Sequence, residues 1–193
     1  MPLILPKEGF FEFEEKKSRF KGHCIAVESE AEAKAYIASI GSGEKGSNHN
    51  VYAYSIKSSN IIRFNDNGEP SGTAGMPVLN VFDKKGIIDW VCVVTRYFGG
   101  IHLGAGGLVR AYTKAATGAM NDSGPIEKIV YLKYNVICEY TNFDKAKYNF
   151  DKWGVEILDI SYTDIVTLNV QIKDYQAEPF LQGEYYKFTL INV

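Results

Sequence analysis

The chain reads as an α+β protein of two domains, residues 1–125 and 126–193. Three observations predict this. Segments of alternating and of helical hydrophobic spacing succeed one another along the whole chain, at strand and helix lengths. A cluster of turn formers, Asn121-Asp122-Ser123-Gly124-Pro125, ends a helical pattern near the middle. Charge shifts there as well: up to Lys128 there are 15 basic and 14 acidic residues, and the remainder has 6 and 9. After the boundary the order is β-α-β-β-α-β, that of a small ferredoxin-like sandwich with two helices on one face of an antiparallel sheet.

In the first domain, residues 10–15 and 19–27 are expected as strands joined by the basic turn Lys16-Lys17-Ser18. Residues 29–40 switch to helical spacing. Ser29 is placed as N-cap with Glu32 three residues on, Ala33, Ile37 and Ile40 mark the buried face, and Gly41 is expected to end the helix. Residues 51–57 alternate like a half-buried strand, and 61–64 form a short partner across Ser58-Ser59-Asn60. The loop 65–72 leads into a helix over 73–83, which Gly86 closes. Residues 87–95, rich in β-branched and aromatic side chains, make a central strand. A glycine-rich turn then opens a third helix, 103–120, with Leu108, Tyr112, Ala115 and Ala119 on one face.

In the second domain, 129–139 alternates, and 142–153 carries Phe143, Ala146, Phe150 and Trp153 on one helical stripe before Gly154. Residues 155–162 and 165–173 form a hairpin, and 185–191 is the last strand. Between them, 174–183 has Pro179 in its middle, so a full second helix barely fits.

Composition removes several classes. With 193 residues, 46% of them hydrophobic, the chain is neither disordered nor fibrous. No apolar run reaches the roughly 18 residues of a membrane span. The first residues lack a basic segment, so no secretory signal is expected. Cys24, Cys92 and Cys138 show no CxxC spacing and lie in apolar stretches, as expected of buried, reduced thiols in a cytoplasmic protein. Three histidines without ligand spacing give no metal centre, and no cofactor is expected.

The chemistry concentrates between Trp90 and Asn121. This stretch holds no Asp or Glu, but has Arg96, Arg110, Lys114 and glycines at 99, 100, 104, 106 and 107. A strand, glycine turn and helix leave backbone N–H groups free at a helix N-terminus, where the dipole favours a phosphate or other anion. Arg110 and Lys114, four apart, share a helical face. A plain strand-to-helix connection with solvated cations is the alternative. Neither phosphate-loop nor dinucleotide motif is met: Leu108-Val109 follow the last glycines, and Val109 takes the third glycine position. The candidate anion-binding residues are therefore Arg19, His49, Arg96, Gly99, Gly100, Gly104, Gly106, Gly107, Arg110 and Lys114. A polar cleft of Asp66, Glu69, Ser71 and Thr73 is a second candidate, with Asp66 and Glu69 holding Mg²⁺ over a phosphate and His49 as base. The same residues also suit an ordinary turn before a capped helix.

The run Thr95-Arg96-Tyr97-Phe98-Gly99-Gly100-Ile101-His102-Leu103-Gly104 resembles the signature of the YigZ/IMPACT family. Lys17-Ser18-Arg19-Phe20, Asn48-His49-Asn50, Asp66-Asn67-Gly68-Glu69-Pro70-Ser71-Gly72-Thr73 and Gly106-Gly107-Leu108-Val109-Arg110 resemble its other motifs, in the same order. The resemblance is strong up to about residue 125 and looser beyond. It implies an N-terminal domain of the ribosomal-protein type, the fold shared by the second domain of a small-subunit ribosomal protein, domain IV of elongation factor G and the GHMP kinases. It implies a ferredoxin-like C-terminal domain similar to the last domain of elongation factor G. Eukaryotic relatives regulate translation by blocking activation of a kinase that senses uncharged tRNA. The reading that follows is a cytoplasmic RNA- or ribosome-binding module linked to regulation of translation. A Mg²⁺-dependent enzyme acting on a phosphorylated small molecule and an adaptor for a protein partner are the alternatives.

Overall fold

The computed structural model describes residues 1–183 and 186–190, which fall into two units, Met1–Lys128 and Ile129–Val193. The first unit runs β1 (Leu3–Ile4), β2 (Gly9–Glu15), β3 (Ser18–Ala26), α1 (Glu30–Gly43), β4 (His49–Ile56), β5 (Ile61–Asn65), α2 (Gly75–Lys85), β6 (Trp90–Tyr97), α3 (Ala105–Ser123) and β7 (Ile126–Glu127). Five strands form one sheet in the order β2-β3-β6-β4-β5, every neighbour antiparallel. Strand alternation sorts the side chains onto two faces. Phe20, Cys24, Val51, Ala53, Trp90, Cys92 and Val94 pack under α2 and α3, while Tyr54, Ile56 and Val91 pack under α1. The larger core centres on Trp90, stacked on Phe82 at 4.1 Å, and on Tyr112, which meets Phe20 edge-on. Each large apolar side chain fully buried this way contributes roughly 1.5–3 kcal/mol.

The β2–β3 hairpin turns on Lys16 and Lys17, both at positive φ (47° and 63°), the two-residue geometry that matches strand twist. At α1, Ser29 Oγ accepts from the Glu32 N–H and the Glu32 carboxylate accepts from the Glu28 N–H, so the cap forms as the spacing predicts. The helix does not stop at Gly41. It continues to Gly43 and closes where the Glu44 N–H reaches the Ile40 carbonyl, because an interior glycine costs only about 1 kcal/mol. The second helix starts at Gly75 rather than 73, since residues 70–74 are held in turns by Asp66 and Pro70. The central strand begins at Trp90 rather than 87. Ile87 and Ile88 instead bond to Phe82 and Leu3, and Asp89 takes a positive φ. The third helix starts at Ala105 and runs to Ser123. A small two-stranded sheet of β1 and β7 was not expected from the pattern, both strands being two residues long.

In the second unit, β8 (Tyr131–Cys138), α4 (Tyr140–Trp153), β9 (Glu156–Tyr162), β10 (Val166–Lys173), α5 (Ala177–Leu181) and β11 (Lys187–Leu190) form a four-stranded antiparallel sheet in the order β11-β8-β10-β9. First and third strands at the centre are the ferredoxin-like arrangement. Val136, Val166, Leu168, Val170 and Ile172 line its core with Phe150 of α4 and Phe180 of α5. The expected crowding at 174–183 takes the form of a 3₁₀ turn, Asp174–Gln176, followed by the five-residue α5. Pro179 sits in the first turn of α5, where its missing N–H has no helical partner to lose. Of the expected last strand, residues 185 and 191 lie outside the described residues. No helix among the described residues is long and apolar enough to cross a membrane.

Candidate functional site

A cleft of about 360 Å³ opens in the first unit between the end of β6, the start of β4, the loop after β5 and the N-terminus of α3. At its base, Arg96 is 5% and Glu69 8% exposed. Arg96 Nη1 donates to Glu69 Oε1 at 2.7 Å, and its Nη2 lies 3.4 Å from Ser18 Oγ. The same Glu69 oxygen accepts from the Tyr112 hydroxyl at 2.7 Å. Burial and then the Glu69 charge drive the Tyr112 phenol far above its ordinary range, so it stays a donor. The Tyr112 and Ser18 bonds supplement the buried pair and offset part of its desolvation.

The loop after β5 is tied down by Asp66. One carboxylate oxygen accepts from Gly72 N–H (2.8 Å), the other from Ala74 (3.0 Å) and Gly75 (2.8 Å). Burial opposes the Asp66 charge, but the three backbone donors outweigh it and hold the carboxyl below the usual aspartate range. One oxygen is thus committed to the N-terminus of α2, whose N-cap residue Ala74 supplies no side-chain bond, and the other to the loop before it. The arrangement of Asp66 and Glu69 as a joint Mg²⁺ site does not form: one carboxylate caps a helix and the other pairs with Arg96. Among the described residues no group of three His, Cys, Asp or Glu side chains is placed to hold a metal. Thr73 donates its hydroxyl to the Pro70 carbonyl, and Ser71 is exposed, so both belong to the loop's turns.

His49 packs beside this loop. Its Nδ1 lies 2.8 Å from the Asn67 carbonyl, which can only accept, so Nδ1 carries the proton. Nε2 then faces Glu69 Oε1 at 3.9 Å on the cleft wall. Asn48 Oδ1 accepts from Phe98 N–H at 2.7 Å, fixing the start of the glycine turn. Gly99 sits against the β2–β3 turn: a Cβ there would lie 1.9 Å from the Lys17 carbonyl oxygen. Its N–H donates to Ser18 Oγ. Gly104, at φ 69° and ψ 164°, turns the chain into α3 without a side-chain cap. The first helical bond is Leu108 N–H to Gly104 C=O, so the N–H groups of Ala105, Gly106 and Gly107 are left at an end with no acid in its first turn.

Of the glycine turn, residues 102–105 are on the cleft wall, Gly104 among them, whereas Gly99, Gly100 and Gly106 are not and Gly107 faces the adjoining groove. The structure therefore brings together His49, Glu69, Arg96 and residues 102–105. Arg19 is not among them. It lies on the opposite face of the sheet from Phe20, 4.6 Å over the Tyr97 ring and 3.7 Å from Glu12. That face carries a separate cluster in which Glu44 accepts from Lys21 (2.8 Å) and Tyr97 (2.6 Å), with His23 alongside. Arg110 and Lys114 leave the cleft as well. They line an adjoining groove of about 250 Å³ with Phe13 and Lys16, Lys114 Nζ standing 4.2 Å over the Phe13 ring.

Ser18, Asn48, Asn67, Phe98, His102 and Tyr112 belong to the site but are not among the candidate binding residues of the sequence. The first five lie within the family motifs, beside the candidate residues. Tyr112, on the buried stripe of α3, looked like core; its phenolic oxygen reaches Glu69 from 43 residues away. Cys24 and Cys92, remote in sequence, face each other across β3 and β6 as free thiols. Burial pushes Cys24 up to about 12 and Cys92 well above its ordinary value, so both are inert thiols.

The family model described as the Impact N-terminal domain matches residues 16–120, and a second, described as a domain of unknown function (DUF1949), matches 136–182. IMPACT family member YvyE of Bacillus subtilis is 37% identical over 166 residues, covering 86% of this chain and 76% of that one. IMPACT family member YigZ of Escherichia coli is 32% identical over 168 residues, covering 86% and 82%. A solved structure titled as that of a hypothetical protein superposes with a TM-score of 0.64 at 28% identity, over 98% of this chain and 97% of the other.

Proposed function

The chain belongs to the IMPACT family, and on that footing we propose that its first domain is a cytoplasmic nucleic-acid-binding module that engages RNA or the ribosome in the regulation of translation. The observation that carries the reading is the uncapped N-terminus of α3. Its free N–H groups border the cleft, its first turn holds no acid, and Arg110 and Lys114 continue the cationic surface along the same helix. A backbone phosphate at the helix end and further phosphates along the Lys16–Arg110–Lys114 groove follow from that layout. The Arg96–Glu69 pair is internally neutral, so it shapes the cleft and leaves attraction to the helix end and the groove.

Binding of this kind weakens steeply with salt. Anisotropy with a ribosomal RNA fragment at low and higher salt tests it. Arg110→Ala and Lys114→Ala are each expected to weaken binding to every sequence alike and to lower the salt slope by about 1. Lys34→Ala, on α1, is the control expected to change neither. Absence of binding at low salt, or equal effects of all three variants, sinks the reading.

A further inference from the structure

We infer that the cleft takes one unstacked nucleoside monophosphate unit of a single strand, its base against Phe98 and its phosphate on the N-terminus of α3. The inference rests on the nucleic-acid reading above and names what the cleft itself recognises. A nucleotide needs an apolar wall for its base, an anion site for its phosphate and polar groups between. Phe98 supplies the wall: it is 38% exposed, although aromatic, and its ring lies 5.2 Å from that of His102, tilted by 42°. The Arg96 guanidinium carbon stands 5.3 Å from the Phe98 ring, and its buried Nε has no hydrogen-bond partner among the described residues. The Arg96 cation over the ring and the Asn48 bond to the Phe98 backbone N–H hold this residue at the cleft wall, so little side-chain freedom is lost on stacking.

The anion site is the end of α3, whose Gly104 and Ala105 form part of the same cleft wall. His49 Nε2 and the His102 ring are the polar groups between wall and helix end. The volume of about 360 Å³ lies at the small end of ligand pockets, a size for one nucleotide and not for a stacked pair. In a duplex each base is stacked on both faces and paired at its edge, so none can reach a ring set in a concave wall. Recognition here selects single strands, or strand ends, over duplexes.

The chemistry belongs equally to a free nucleotide and to a residue within a strand, and the test separates the two. Anisotropy is measured on the full chain with a labelled single-stranded RNA of about 12 nucleotides, a length covering one such site and its flanks, and with the same strand annealed to its complement. Unlabelled nucleoside 5′-monophosphates are added as competitors and titrated alone by calorimetry. The single strand is expected to bind roughly tenfold or more tighter than the duplex. Phe98→Ala is expected to abolish that preference and Phe98→Tyr to keep it, while monophosphates compete for the single strand. Equal affinity for the two forms, or a Phe98→Ala effect equal on both, overturns the nucleotide cleft and leaves the nucleic-acid module standing. Monophosphate binding without binding of any oligonucleotide keeps the cleft, assigns it to a free nucleotide and overturns the module. Binding of neither overturns both.

Discussion

Arg96 Nη1 and Glu69 Oε1 meet at 2.7 Å beneath the cleft, each side chain more than nine-tenths buried. The pair joins the last part of β6 to the loop before α2, and Tyr112 adds α3 to the same oxygen. Glu69→Ala is expected to cost about 3–5 kcal/mol, because it strands a buried guanidinium. Arg96→Met with Glu69→Leu is expected to recover much of that loss while disturbing the cleft. Urea unfolding of the three proteins checks both halves.

Asp66 gives a prediction with a sign in pH. Its folded-state carboxyl lies below its ordinary value, so the stability it adds is fully present above the unfolded value near 3.8 and is lost as pH falls through the folded one. Asp66→Ala removes three charge-assisted backbone bonds and is expected to cost about 2–4 kcal/mol at neutral pH. The gap between wild type and variant narrows on acidification below about 3.8. Urea midpoints at neutral and acid pH measure it; a gap that widens in acid would contradict the assignment.

Ala105→Glu separates ligand binding from folding. A carboxylate in the first turn of α3 favours the helix by about 0.3–1 kcal/mol through the dipole, yet occupies the place meant for a phosphate. The expected outcome is a melting temperature unchanged or raised and RNA affinity lowered at least about tenfold, the loss of one good charge-assisted contact. Lost affinity accompanied by a lowered melting temperature would point to misfolding.

Two adjacent glycines should respond differently. Gly99→Ala drives a Cβ into the Lys17 carbonyl oxygen, a backbone atom that cannot step aside, and is expected to destabilise the first domain by more than about 2 kcal/mol. Gly100→Ala meets nothing within 4 Å and suffers only from its φ of 83°, a cost of about 1–2 kcal/mol. Thermal unfolding of the pair gives the order.

Much of this was legible in the residues. The cap at Ser29, the acid-free run through the glycine turn, and the helical stripe through Leu108 and Tyr112 are local patterns, and each sits where its spacing predicts. Facing and long-range partnership were not legible. Arg19 and Phe20 necessarily point opposite ways, yet only the sheet order shows that the cleft lies on the side of Phe20. Asp66 next to Asn67 and Gly68 fits a turn or a metal site equally well. Its true partners, the N–H groups of residues 72, 74 and 75, are backbone atoms that carry no side-chain signature.

Pairing of β1 with β7 sets the two ends of the first unit side by side, Leu3 opposite Glu127 and Ile4 opposite Ile126. Its circuit is therefore nearly closed, and the order in which it is written is arbitrary as far as the fold is concerned. Splicing Lys128 to Met1 through a short linker and reopening the chain at the exposed β4–β5 turn, residues 57–60, should give a permuted domain with its cleft intact. In that permutant Glu69, β6, the glycine turn and α3 stay on one unbroken stretch, while Asn48 and His49 return to the cleft wall from the chain's new far end.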